Sequence, residues 1–230
     1  MKIIYQDQHF FAIDKPAGFF VHPPERSPYP VPKEKICLYT LRKKFNQEVF
    51  PVHRLDAPTT GLVLFSFDRG GARELGRLFM ERAMSKTYLA VVRGYVESEG
   101  VIELPLEIDD EGNFTEAKTL YRLKSKIELP FAVGKKYPTS RYSLVEVQPI
   151  TGRWHQIRRH FDRVAHPLLG DIEHGDSHHN RFFRDELDIP GLCLRATKME
   201  FTHPWEQRPI CIEAPPSEKW DKIHSLFSPS

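Results

Sequence analysis

The sequence predicts a mixed α/β (α+β) fold: a single domain over residues 1–230, with a mainly antiparallel central sheet flanked by helices and loops. Segments with the two-residue apolar alternation of strands are interspersed irregularly with segments of helical periodicity. No internal repeat or low-complexity tract interrupts them. At 230 residues the chain falls between one and two domains by the usual size range, and is long enough to bury one sizeable core.

The N-terminal third is predicted to contain a hairpin, a helix and a buried strand. Residues 2–5 and 10–15 are apolar-rich runs separated by a short polar interval, a pattern typical of a hairpin. A short helix is expected over residues 40–46. Residues 62–67 form a short apolar run, which favours a buried strand.

Two segments lack such periodicity and are predicted to be loops. Residues 19–35 contain five prolines, which cannot all donate to a strand ladder. Residues 122–141 carry basic side chains around a short apolar insert. These basic residues are Lys124, Lys126, Lys135, Lys136 and Arg141.

The remaining predicted elements alternate between helix and strand. Residues 72–83 are expected to form an amphipathic helix with Leu75, Leu78 and Phe79 on one face. A strand follows, in which Tyr88 shares a face with two smaller apolar residues.

Another strand is expected over residues 140–147, followed by a turn at Thr151 and Gly152. Residues 155–165 then form a helix whose apolar side chains point inward.

Composition narrows the class of protein. The net charge is only +2, so nucleic-acid binding would depend on local clustering of the 33 Lys and Arg residues. Three widely separated cysteines fit neither a disulfide scaffold nor a cysteine-based zinc site, and favour a reducing cytoplasm. No apolar run approaches the roughly 18 residues that a membrane span requires, so no membrane partner is expected.

Asp56 is the strongest candidate for a reactive group. It lies in the segment HRLDAPTTG, residues 53–61, between an arginine and a turn-forming stretch, just before the apolar run. A carboxylate held there, partly buried beside a cation, would be a plausible nucleophile. The alternative is a surface turn in which Asp56 caps backbone donors and Arg54 is solvated.

Four segments, in the same order and covering most of the chain, resemble the motifs of the RluA family of pseudouridine synthases. They are residues 14–18 (DKPAG) followed by 21–23, residues 53–61, residues 86–94 (KTYLAVVRG), and residues 151–160 (TGRWHQIRRH) with 166–171. Thr60 occupies the position where the family usually has serine.

The resemblance implies an RNA pseudouridine synthase in which Asp56 forms a covalent adduct during the exchange of the glycosidic bond. It also implies that Arg158 pairs with that aspartate, and that Tyr88 stacks on the target uracil and relays a proton. Arg54 would fill the gap left by the extruded base. Two alternatives remain open: Tyr88 as a core residue of its strand, and a structural Arg54–Asp56 pair.

The resemblance further implies substrate contacts by His53, Thr60 and Leu194, the last as an apolar wall of the uracil pocket. Arg195 replaces the family's usual histidine in that strand, which puts the strand's fine orientation in doubt. No cofactor and no metal are expected. The cluster of His174, His178 and His179 is predicted to lie in a phosphate-facing loop rather than to bind zinc.

The segment 170–181 looks most like a branch of the family that modifies a uridine in the T stem of tRNA. The expected partner is therefore tRNA, bound by a cytoplasmic monomer with no S4-like domain before the catalytic motifs. Ribosomal RNA is the alternative substrate, and the proline-rich and basic loops are candidate RNA contacts.

Two other classes of protein remain open. A catalytically silent RNA-binding protein could use Arg158, Arg159 and Arg163 as a docking surface. A carboxylate-based hydrolase would require a second acid or metal ligands, for which Asp171 and Asp176 are the candidates.

Overall fold

The computed structural model describes residues 1–24, 30–108, 111–134 and 137–228. In chain order the strands are β1 (Lys2–Gln6), β2 (Phe10–Lys15), β3 (Phe50–Pro51), β4 (Thr60–Ser66), β5 (Ser85–Arg93), β6 (Glu99–Ile102), β7 (Leu106–Glu107), β8 (Phe114–Thr115), β9 (Thr119–Leu129), β10 (Ser140–Pro149), β11 (Leu194–Thr202) and β12 (Pro209–Glu213). The α-helices are α1 (Cys37–Phe45), α2 (Arg69–Met80), α3 (Gln156–Arg163), α4 (Ser177–Asp185) and α5 (Glu218–Phe227).

Packing divides the chain into two compact units. The first comprises Met1–Lys86 and Arg195–Pro215, and the second comprises Thr87–Leu194 and Pro216–Ser230. The mixed α/β class and the mainly antiparallel strand pairing are confirmed. The single domain expected over residues 1–230 stays a prediction.

The first unit is built around β4, whose residues after Thr60 are all buried. The predicted hairpin is present as the antiparallel pair β1 and β2, and β2 pairs antiparallel with β4. On its other side β4 runs parallel to the start of β11, which in turn pairs antiparallel with β12. The apolar run therefore forms a central strand of this unit, as its composition predicts.

Both helices of the first unit begin three residues before their predicted starts. Helix α1 begins at Cys37, and the Thr40 hydroxyl donates to the Ile36 carbonyl 3.0 Å away within its first turn. Helix α2 begins at Arg69 because the Asp68 carboxylate caps it, accepting from the Gly71 amide at 2.8 Å.

Gly61 in β4 is required by the close approach of β11. Its φ is +105°, and a Cβ at this position would lie 2.0 Å from the Ala196 carbonyl oxygen, which belongs to the neighbouring backbone. No rotamer change can relieve that contact. Thr60 and Gly61 are paired with Arg195 and Ala196, so the contact also aligns the end of the Asp56 segment with β11.

Replacing Gly61 by alanine is therefore expected to destabilise the protein by about 2–5 kcal/mol, from backbone strain and overpacking together. Gly18→Ala is the matched control, because Gly18 has a φ of +77° but a Cβ added to it would meet no atom within 4 Å. It should cost only about 1–2 kcal/mol. Urea unfolding measures both, and equal losses would contradict the steric explanation.

The second unit contains the antiparallel strands β5, β10, β9 and β6 in that spatial order, with β7 and β8 forming a separate hairpin. Its core is lined by large apolar side chains from strands and helices. They include Val91, Tyr142, Leu144, Phe183, Trp220, Ile223 and Phe227. The predicted helix over residues 155–165 is present as α3, Gln156–Arg163.

The prediction of a basic loop over residues 122–141 is wrong for its first part and for its last two residues, which belong to β10. Residues up to Leu129 belong to β9, which pairs with β10 along its whole length. Lys124 lies 3.8 Å from Glu146, and Lys126 lies over the ring of Tyr95. The charged residues alternate with half-buried ones, so they form the solvent face of a strand. Lys135 and Lys136 lie outside the described residues.

The proline-rich segment 19–35 contains a short 3-10 helix, Lys33–Lys35, and an isolated bridge between Phe20 and Ile36. Its residues 25–29 lie outside the described part of the chain, so its predicted role as an RNA contact stays a prediction. No helix in the described ranges is long and apolar enough to cross a membrane.

Candidate active site

Asp56 lies in the loop between β3 and β4, within a tight turn. The Thr59 amide donates to the Asp56 carbonyl at 3.1 Å, which closes the turn over Ala57 and Pro58. Leu55 is buried, Asp56 is half-buried and Arg54 is exposed. The carboxylate is thus carried by a short segment with little backbone freedom.

His53 ties the start of this loop to β4. The Leu64 amide donates to His53 Nε2 at 3.0 Å, and the Leu64 carbonyl accepts from the Val52 amide at 3.0 Å. Burial, together with the charge of Lys86, lowers the pKa of His53 to about 3, so the ring is neutral with its lone pair on Nε2. This is a positioning role, and the expected substrate contact of His53 stays a prediction.

Lys15 holds the Asp56 loop from the other side, a role that sequence reasoning missed. Its ammonium is fully buried and donates to the carbonyls of Phe19 at 2.8 Å, Ala57 at 3.0 Å and Pro16 at 3.2 Å. The Gly18 amide also donates to the Ala57 carbonyl, at 2.8 Å. The residue next to Asp56 is therefore fixed by two donors from the DKPAG segment.

The Lys15 ammonium is also a source of positive charge near the carboxylate. Burial lowers the pKa of Lys15 to about 8, an effect that the charges of Cys37 and Asp56 oppose. At neutral pH the lysine is therefore mostly protonated. A lysine at the end of a buried apolar strand was the available sequence signal, since such a group requires compensating partners.

Arg195, at the position where the resemblance leads us to expect histidine, is buried and makes two contacts within the first unit. Its guanidinium donates to the Asp14 carboxylate at 3.0 Å and to the Pro215 carbonyl at 2.9 Å. It thereby links β11 to β2 across the intervening strand β4, next to Lys15. These contacts are all within the first unit, and the effect of Arg195 on the fine orientation of the strand at the site stays a prediction.

Tyr88 and Leu194 lie in the second unit, and both are largely buried. Tyr88 belongs to β5, where it is opposite Val147 of β10. Leu194 is the first residue of β11, with 3% of its surface exposed. Their predicted contacts with the uracil stay predictions.

Arg158 forms a buried ion pair that the sequence had not indicated. Its Nε and Nη2 donate to the two carboxylate oxygens of Asp171 at 2.6 and 2.8 Å, and Nη2 also donates to Glu173 at 3.1 Å. The side chains of Arg158 and Asp171 are 1% and 0% exposed. Both carboxylate oxygens of Asp171 are therefore occupied by Arg158, which argues against Asp171 as the acid of a hydrolase.

Two effects act on the pKa of Asp171. Burial favours its neutral form and raises the pKa. The opposing effect is larger: the pKa is held below its ordinary value by hydrogen bonds from Arg158 and from the backbone amides of His174 and Glu173, and by the charge of the arginine. The pair is thus ionised at neutral pH. The expected pairing of Arg158 with Asp56 stays a prediction.

The histidine cluster is arranged differently from the prediction. His178 and His179 belong to α4, so the expected loop after Gly175 is wrong for those residues. The Asp176 carboxylate caps this helix by accepting from both histidine amides. His179 Nδ1 lies 2.8 Å from the Tyr142 hydroxyl.

A different trio has metal-ligating atoms close together: His155, Glu173 and His174, within 4.8 Å of one another. His155 Nδ1 lies 3.0 Å from His174 Nε2, which is a hydrogen bond between the two rings, and Glu173 also pairs with Arg158. Each group therefore has a partner in the protein. The expectation of no metal stays a prediction.

Within the first unit, the structure places His53, Arg54, Asp56 and Thr60 on one continuous loop and strand start. This arrangement offers a half-buried carboxylate on a turn, with a buried ammonium whose charge it influences. A carboxylate held in this way can act as a nucleophile.

The chain is similar to known proteins over nearly its whole length. The sequence profile of the RNA pseudouridylate synthase family matches residues 9–163. Over 237 aligned residues, the chain is 39% identical to tRNA pseudouridine synthase C of Vibrio vulnificus (strain CMCP6), covering 99% of this chain and 95% of that protein. The corresponding enzyme of Vibrio cholerae is 41% identical, with 99% and 96% covered.

Two solved human structures share the fold. RNA Pseudouridylate Synthase Domain Containing 4 superposes with a TM-score of 0.71 at 23% identity, covering 97% of this chain and 92% of that one. RNA Pseudouridylate Synthase Domain Containing 1 gives 0.69 at 21% identity, with 98% and 93% covered. At these identities the likeness concerns the fold alone.

Proposed function

Because the chain belongs to the RNA pseudouridylate synthase family, we propose that it converts one uridine in the T stem of tRNA to pseudouridine, with Asp56 as the nucleophile. The observation that carries this proposal is the identity of 39–41% to tRNA pseudouridine synthases C, which extends over 99% of the chain. The choice of the T stem as the target within tRNA rests on the resemblance of the segment 170–181 to that branch of the family.

The reaction requires few groups. The bond from C1′ of the ribose to N1 of uracil breaks, the base rotates, and a new bond forms from C1′ to C5. The C5 proton is then lost and N1 gains a proton, so the reaction is an isomerisation with no net redox change. One carboxylate that forms a transient covalent adduct and one proton acceptor suffice. Asp56 fills the first role in the proposal, and Tyr88 is the candidate for relaying the proton.

Release of the C5 hydrogen gives a direct test. An unmodified tRNA transcript labelled with tritium at C5 of uridine should release tritium to water when it is incubated with the purified protein. Release should reach one equivalent per transcript, because a single uridine is modified. A protein that binds the transcript but releases no tritium would be the silent RNA-binding protein, and the proposal would fail.

Tyr88→Phe separates stacking from proton transfer. The phenyl ring keeps the apolar face, so RNA affinity should remain close to that of the wild type. Turnover should fall by about 10²–10⁴-fold if the hydroxyl acts in general acid–base catalysis. Single-turnover tritium release measures the effect, and a wild-type rate in this variant would limit Tyr88 to stacking.

Chelation should leave turnover unchanged, because no step above requires a Lewis acid. The test is tritium release before and after dialysis against EDTA, with His174→Ala as a second arm that removes one member of the close trio. Loss of activity on chelation that zinc restores would overturn the expectation of a metal-free enzyme and favour metal-assisted chemistry.

A further inference from the structure

Trp154 is an unusually exposed tryptophan on the turn before α3, with 59% of its surface accessible. The turn itself is firmly held. The buried Gln156 side chain accepts from the Thr151 hydroxyl at 2.6 Å and from the Arg153 amide at 3.0 Å. Because the turn is already rigid, a ligand that binds this indole causes little further loss of backbone entropy.

The indole is also supported from within the protein. Its ring stacks on His155, with centroids 3.8 Å apart and planes at 20°. His155 is largely buried and adopts a left-handed backbone conformation, with a φ of +50°. Its Nδ1 lies 3.0 Å from His174 Nε2. The exposed ring therefore rests on a fixed second ring.

Three arginines lie in this turn and in the helix α3 that follows it, and their guanidinium groups are held by uncharged acceptors. Arg153 Nε donates to the Glu116 carbonyl at 3.1 Å, Arg159 Nη1 to the Glu107 carbonyl at 3.0 Å, and Arg163 Nη1 to the Pro105 carbonyl at 2.6 Å. Backbone carbonyls restrict the side chains without neutralising them. Each guanidinium has five N–H donors, so others remain to bind an anion.

Arg159 connects the two features, because its guanidinium carbon lies 5.6 Å from the centre of the Trp154 ring. An exposed aromatic face combined with fixed cations is the arrangement that proteins use to bind unpaired nucleotides, where a base stacks and phosphates meet guanidinium groups. We propose that Trp154 is a stacking platform for one unpaired base of the substrate RNA, and that Arg159 and Arg163 contact the adjacent phosphates.

The proposal deepens the proposed function, since its ligand is the RNA that carries the target uridine. Charge favours RNA over a second copy of this chain, because Arg159 and Arg163, four residues apart on one face of α3, would repel the same face of another molecule. The predicted role of Trp154 is specificity and affinity, with no part in the chemical step.

Fluorescence tests the stacking directly. The chain has three tryptophans, of which Trp220 is 5% exposed and Trp205 is 37% exposed. In a Trp205→Phe background, Trp154 is the accessible reporter. Titration with an unmodified tRNA transcript should quench its emission, and the quenching should disappear when Trp154 is also replaced by phenylalanine.

Affinity provides the second readout. Trp154→Ala should raise the Kd for the transcript roughly 5- to 150-fold, the loss expected for one base–aromatic stack, while kcat at saturating RNA stays near the wild-type value. Trp154→Phe should recover most of the affinity, because it keeps a ring. Trp205→Ala is the matched control, since Trp205 also stacks on a histidine, His9, with centroids 4.1 Å apart.

Salt dependence separates the two kinds of contact. Arg159→Gln and Arg163→Gln should each lower the slope of log Kd against log salt by about 0.7–0.9, whereas Trp154→Ala should leave it unchanged.

The outcomes are distinguishable from failure of the proposed function. If the wild type neither binds nor modifies the transcript, the function has failed. If it does both while Trp154→Ala and Trp205→Ala have the same Kd, or Trp154 emission is insensitive to RNA, the stacking platform is refuted and the function stands.

Discussion

Asp56→Asn should abolish pseudouridine formation while leaving RNA affinity nearly unchanged. Asparagine has almost the same shape, so the turn closed by Thr59 and the loop held by Lys15 should persist. What is lost is the carboxylate that forms the covalent adduct, and a neutral amide is a poor substitute for it. The rate of tritium release should fall by more than about a hundredfold, a loss typical of a nucleophile.

The control is Asp68→Asn, which alters another aspartate of the same unit. Asparagine caps helices as well as aspartate does, so α2 should remain intact and activity should be retained. Residual turnover of Asp56→Asn above one hundredth of the wild-type value, with normal folding, would exclude Asp56 as the nucleophile.

Arg158→Met should have the second largest effect, lowering turnover by orders of magnitude. The family resemblance implies that this arginine is the counter-charge of Asp56, and that pairing is a prediction. The structure adds a complication, because Arg158 also neutralises the buried Asp171. Removing one partner of a buried ion pair costs about 3–5 kcal/mol, so a loss of activity in the single variant could reflect unfolding.

A double variant separates these effects. Asp171→Asn in the Arg158→Met background removes the uncompensated charge, and its amide oxygen can still accept from the backbone of Glu173 and His174. Stability should return to near that of the wild type, as measured by urea unfolding. Turnover should not return, because the positive charge is still missing. A double variant that is both stable and active would show that Arg158 serves only to anchor Asp171.

Local pattern was sufficient to predict the strand that follows the Asp56 loop and the hairpin that pairs with this strand. The hairpin and the buried strand after HRLDAPTTG follow from alternation and from a short apolar run, and both are present as β1, β2 and β4. The strand β9 could also have been predicted from its own sequence. Its lysines form a charge cluster, but charged and apolar residues alternate there with the two-residue period of a strand.

The contacts that position the site are non-local and could not be predicted in this way. Lys15 reaches the Ala57 carbonyl across 42 residues, and Arg195 reaches Asp14 across 181. The pair of Arg158 with Asp171 is closer in sequence, but it depends on the turn after α3 bringing a second motif back to the helix. Periodicity describes single elements, whereas these partners follow from how distant elements meet.

Pseudouridine mapping tests the central claim most directly. Total RNA from a strain that lacks this gene is treated with carbodiimide and read by reverse transcription, alongside RNA from the strain complemented with the wild-type gene or with Asp56→Asn. The proposal predicts that a T-stem uridine of tRNA stays unmodified in the deletion strain and with Asp56→Asn, and that only the wild-type gene restores its pseudouridine. Intact pseudouridine in the T stem together with a lost site in ribosomal RNA would contradict it.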